Sequence, residues 1–137
     1  MRGETTATWL IGALAAVAVV LGLVVVGGPG TGRAERRDAT RERDIYNLSH
    51  YVNCTIDTGE GTLPTELPET ETCTTMYPDT RRADPFTGKP YRFERLSDNE
   101  YRLCADFELT ELARTEGYRD TAFDPATGCR SFSYRPT

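Results

Sequence analysis

Four cysteines and one histidine carry most of the soft, reactive chemistry available to this 137-residue chain. Cys54, Cys73, Cys104 and Cys129 are far apart, with no Cys-x-x-Cys pair, and His50 is the only imidazole. A structural zinc site wants its ligands in close sequence pairs, so this spacing argues against one. An even set of distant cysteines behind an export-competent segment reads better as two disulfides, each contributing about 2–4 kcal/mol to a small domain with a limited core. Pairing of neighbours, Cys54 with Cys73 and Cys104 with Cys129, is favoured because it bridges adjacent elements without threading. Spacing alone leaves the other connectivities open.

Carboxylates offer a second kind of chemistry. Residues 55–79 contain no basic side chain but hold Asp57, Glu60, Glu66, Glu69, Glu71 and Asp79 among threonines, prolines and glycines. Clustered carboxylates are what a hard cation needs, and Asp57, Glu60, Asp79 and Asp84 are the calcium candidates. A solvated acidic surface loop explains the same composition, and no EF-hand spacing is present. His50 has Asp44 and Ser49 near it in sequence, but they are not spaced as base, orienter and nucleophile. The chain lacks a Gly-rich phosphate loop, a His-Glu-x-x-His motif and a nucleophile elbow. No enzymatic activity and no cofactor are expected. One motif repeats: Asp84-Pro85-Phe86-Thr87-Gly88 and Asp124-Pro125-Ala126-Thr127-Gly128 share the form Asp-Pro-x-Thr-Gly. Asp can accept backbone hydrogen bonds at the first turn position, Pro presets φ at the second, and Gly takes the left-handed conformation before a strand.

The elements that must hold these residues begin with a hydrophobic run. Residues 9–26 carry no charge, and the segment extends to 28, long enough to span a hydrocarbon layer of ~30 Å and longer than the core of most signal peptides. A retained anchor over 9–28, after a short tail at 1–8, is expected. A cleavable signal is the alternative, since small residues follow the run, but there is no lipobox cysteine and no Ala-x-Ala site. Arg33, Arg36, Arg37, Arg41 and Arg43 follow the run while only Arg2 precedes it, which by the positive-inside rule would leave the C-terminal part in the cytoplasm. The cysteines point the other way, because a reducing compartment would remove the staples. The interleaving of those arginines with Glu35, Asp38, Glu42 and Asp44 further weakens the charge count, so the C-terminal domain is expected outside the cytoplasm.

Beyond the run, Gly27-Gly28-Pro29-Gly30-Thr31-Gly32 should break the helix, so that 29–43 forms a flexible tether and polar stalk. Ile45, Leu48 and Val52 fall at helical spacing and mark a packed amphipathic helix, followed by a long loop over 55–79. Residues 91–95 and 101–107 alternate, placing Tyr91, Phe93, Tyr101, Leu103, Ala105 and Phe107 on one side of a hairpin turning at 97–100. A helical or irregular stretch around 109–117 leads to a last strand at 130–134. The expected class is α+β, with an exposed domain over 44–137.

The net charge of −5 disfavours nucleic acid, whose phosphates need a basic surface. The expected partners are the lipid bilayer, through residues 9–28, and either an envelope protein or a second anchor helix meeting Gly12/Ala16 and Ala18/Gly22. The order of a hydrophobic N-terminal helix, an amphipathic helix, a long loop and a disulfide-closed antiparallel sheet resembles type IV pilins and type II secretion pseudopilins. The segments at 84–93 and 101–107 resemble the Asp-Pro-x-Thr-Gly-x-Pro-Tyr and Tyr-x-Leu-Cys-Ala-x-Phe stretches of small bacterial membrane-anchored proteins with a pseudopilin-like headpiece. That resemblance covers about residues 44–132 and implies a bacterial inner-membrane protein with a periplasmic domain. The prepilin peptidase signature is missing, since Glu4 follows Gly3 and the hydrophobic run contains no acid. Filament assembly is therefore not part of the expectation.

Overall fold

A single glycine separates the first two helices. α1 spans Arg2–Val26 and α2 spans Gly28–Thr58 in the computed structural model, which describes residues 2–109 and 122–135. Gly27 and Gly28 break the ladder with φ +85° and +69°, left-handed conformations that a side chain would strain. Contrary to expectation, the rest of the glycine-rich stretch is helical and does not form a non-helical tether. Pro29 falls in the first turn of α2, where its missing N–H costs nothing, and the Thr31 hydroxyl bonds back to the Gly27 carbonyl.

The chain divides into two units, Met1–Glu35 and Arg36–Thr137. In the first, α1 leaves its apolar side chains exposed, from Trp9 to Val26. At 1.5 Å per residue its 25 residues extend roughly 37 Å, more than a hydrocarbon layer requires. The helix is thus long and apolar enough to cross a membrane, a property shared by anchors and by signal sequences.

The second unit, from Arg36, is an α+β domain. Ile45, Leu48, Val52 and Ile56 form one buried stripe of α2, and each fully buried aliphatic of this kind contributes about 1.5–3 kcal/mol. They pack on a sheet of β1 (Arg92–Arg95), β2 (Glu100–Cys104), β3 (Phe123–Asp124) and β4 (Cys129–Ser133), in the antiparallel order β1-β2-β4-β3. The register pairs Phe93 with Leu103, Arg95 with Tyr101, and Tyr101 with Phe132, so the alternating aromatics share the covered face as the pattern predicts. Tyr101 is central: its ring lies 5.6 Å from Phe93 and 5.5 Å from Phe132, and its hydroxyl is 3.2 Å from the Ser49 carbonyl. The stretch expected around 109–117 falls, from 110 on, outside the described residues.

Residues 55–79 are not one long loop. α2 continues to Thr58 because Ile56 extends the buried stripe by one turn, and Gly59 and Gly61 then donate their N–H groups to the Ile56 carbonyl. Leu63 is buried, and a short helix α3 (Glu71–Met76) carries the fully buried Cys73 back to α2.

Candidate functional site

Both Asp-Pro-x-Thr-Gly segments build the same turn. Asp84 Oδ1 accepts the Phe86 N–H at 2.8 Å, and Gly88 donates to the Asp84 carbonyl at 2.8 Å with φ +73°. Asp124 Oδ1 accepts the Ala126 N–H at 2.9 Å, and Gly128 donates to the Asp124 carbonyl at 2.9 Å with φ +68°. Their surroundings differ. The second turn is largely exposed, whereas the first buries its aspartate against α2.

Arg41, on the half of α2 expected to be a polar stalk, is only 1% exposed. Its Nε donates to Asp84 Oδ2 at 2.7 Å, and its Nη1 donates to Asp38 Oδ1 at 2.7 Å and Glu108 Oε1 at 3.1 Å. Arg37 grips Glu108 with both Nε and Nη2, at 2.8 and 2.6 Å. Asp38 also accepts the backbone N–H groups of Glu108 and Leu109 at 2.8–3.1 Å. α2, the first turn and the segment that follows β2 are thereby clasped together by charge. One turn further along α2, buried Asp44 accepts the Tyr91 hydroxyl at 2.8 Å and faces Arg81 Nη1 at 3.4 Å. Across the sheet, buried Arg130 bonds Glu42 Oε1 at 3.1 Å and the Tyr46 hydroxyl, with its guanidinium 4.6 Å from the centre of the Tyr46 ring.

Burial is the largest single influence on the Arg41 guanidinium and opposes its charge, but the hydrogen bonds to Asp84, Asp38 and Glu108 outweigh it and raise its pKa. For Asp84, burial again opposes the charge; the Phe86 N–H and Arg41 overcome it and hold the carboxyl below the usual range. Hydrogen bonding from Arg37, aided by Arg41, lowers Glu108 to about 2. Burial, then the bond to Asp44, pushes the Tyr91 phenol up. Each carboxylate of the clasp is neutralised by a fixed partner, which suits it to holding elements in place. A proton-transfer pair would need the opposite arrangement, an uncommitted base poised near neutral pH.

The sulfurs pair as Cys54–Cys73 and Cys104–Cys129. The first joins α2 to α3; the second joins β2 to β4 at directly opposed register positions. The calcium candidates are not gathered into a site. Asp84 is committed to Arg41, and Asp57 accepts the Tyr134 hydroxyl at 2.6 Å. Glu60 and Asp79 are exposed. Among the described residues no group of three or more His, Cys, Asp or Glu side chains is placed to hold a metal ion. His50 is exposed and lies parallel to the Tyr77 ring, 6.5 Å away, while Ser49 bonds the Tyr46 carbonyl, so His50, Ser49 and Asp44 form no relay.

The clasp of Arg41, Asp38 and Glu108 was not anticipated from sequence. The one available signal was the Asp-Pro-x-Thr-Gly repeat, which located Asp84 without revealing its partner. No family model, no curated protein and no solved structure matches the chain. What the chain does therefore rests on its own geometry: a helix able to enter a membrane, joined to a disulfide-stabilised α+β domain.

Proposed function

We propose that the chain is a single-pass protein of the bacterial inner membrane, anchored by α1, whose disulfide-bonded domain faces the periplasm and acts as an interaction or structural headpiece in an envelope assembly. The observation that carries this reading is the pair of disulfides closing a small core immediately after an exposed apolar helix. Such bridges persist in oxidising compartments and are rare in the cytosol. The ionic clasp gives two of the five arginines after the hydrophobic run a structural role in the domain: Arg41 is buried against Asp38 and Asp84, and Arg37 is bound by Glu108. An amphipathic helix packed on a small antiparallel sheet with a C-terminal disulfide supports likening the domain to a pseudopilin headpiece.

The test combines protease accessibility from each side of the membrane with thiol mapping of protein taken from its native membrane. Alkylation of all four cysteines only after reduction, with the domain digested from outside the inner membrane, is the expected result. Free thiols on a domain digested only after cell lysis would reject the placement. Crosslinking in the native membrane should then yield a discrete adduct with an envelope protein or a second copy.

A further inference from the structure

Met76 is the last residue of α3, three positions after Cys73, and therefore lies on the same face of that helix as the disulfide. Its Sδ is 3.8 Å from Cys54 Sγ. Cys54 is oxidised and has no S–H to donate, so this is sulfur resting on sulfur at van der Waals distance. The two cysteines beneath are 7% and 0% exposed, whereas Met76 is 64% exposed. The residue that carries the most oxidisable sulfur in this part of the molecule is thus exposed, over a bond whose two cysteines are buried.

We infer that Met76 is a modification site for small peroxides and serves as the sulfur cover of the Cys54–Cys73 disulfide. In the reaction the thioether attacks one oxygen of hydrogen peroxide, the O–O bond breaks, and the distal oxygen leaves as water after proton transfer. Met76 becomes the sulfoxide; its sulfur is oxidised by two electrons and the peroxide is reduced. No proton need be removed from a thioether first, so the step does not depend on a nearby base. The product is polar and carries an oxygen on the atom that lay against Cys54, which converts an apolar cover into a hydrated one. The Cys54–Cys73 bond then becomes open to exchange with external thiols, while Cys104–Cys129, on the sheet, is unaffected. The inference rests on the contact of Met76 with Cys54 and on its exposure, and stands whether or not α1 remains in a membrane.

The experiment treats the full chain in detergent with hydrogen peroxide, maps the peptides, and follows reduction of each disulfide by dithiothreitol before and after treatment. Met76 should gain one oxygen at a rate close to that of a methionine in an unstructured peptide, with both disulfides intact. Reduction of Cys54–Cys73 should then be several-fold faster, with Cys104–Cys129 unchanged as an internal reference. Met76→Leu keeps an apolar cover that cannot take oxygen, and peroxide should leave its Cys54–Cys73 reduction rate where it was. Slow oxidation of Met76, no change at either disulfide, equal acceleration of both, or the same acceleration in Met76→Leu would each overturn the inference.

Discussion

Replacing Arg41 with methionine tests the clasp most directly. The substitution preserves much of the side chain's length and removes the charge from a position 1% exposed. It leaves the Asp84 carboxylate, 4% exposed, without its 2.7 Å partner, and takes one from Asp38. Removing one member of a buried pair costs about 3–5 kcal/mol, chiefly because the other charge stays buried. Here the lower end applies, about 3 kcal/mol, because Asp84 keeps the Phe86 N–H and Asp38 keeps the N–H groups of Glu108 and Leu109. Arg37→Met is the control. Arg37 and Glu108 are each 35% exposed, so solvent screens that pair and its loss should matter far less. The assay is urea unfolding of the full chain in detergent with disulfides intact, followed by the near-ultraviolet circular dichroism of its tyrosines, since the only tryptophan, Trp9, lies on α1. With a slope near 1.5 kcal/mol per molar urea, Arg41→Met should lower the midpoint by about 2 M and Arg37→Met by well under 1 M. Adding Asp84→Asn to Arg41→Met should recover part of the loss, because asparagine retains the oxygen that accepts from Phe86. Equal midpoints for the two single variants would refute a buried, stabilising Arg41.

Asp84 and Glu108 both have folded pKa values below their ordinary ones, so the stability they add is present above the ordinary carboxylate range and is lost as pH falls through their folded values, about 2 for Glu108; acid titration of the unfolding midpoint should slope downward there, and less steeply in Arg41→Met. Gly88→Ala places a side chain at φ +73° in open space and should cost about 1–2 kcal/mol. Gly128→Ala combines a similar φ with a Cβ driven into the Ala105 carbonyl oxygen, so thermal melts should rank it clearly below Gly88→Ala. The Cys54/Cys73 and Cys104/Cys129 loops span separations of 19 and 25 residues. On chain entropy each double alanine replacement should cost about 3 kcal/mol, and near-additive losses in urea midpoint would check it.

The sequence alone determined those features whose physics is local. An uncharged run sets a membrane-length helix. Alternation over 91–95 and 101–107 sets which side of a hairpin is covered, since a one-residue slip would expose every aromatic. Asp-Pro-x-Thr-Gly sets its own turn, twice, through bonds that stay within five residues. Tertiary structure decided what depends on distant partners. Read locally, Arg41 belongs to the solvated face of a stalk; it is buried because the fold brings Asp84, 43 positions away in sequence, to α2, as it brings Tyr91, 47 positions away, to buried Asp44. Helix propensity and turn chemistry act over a few residues. The neutralisation of a buried charge is a property of the assembled domain, and no window of sequence shows it.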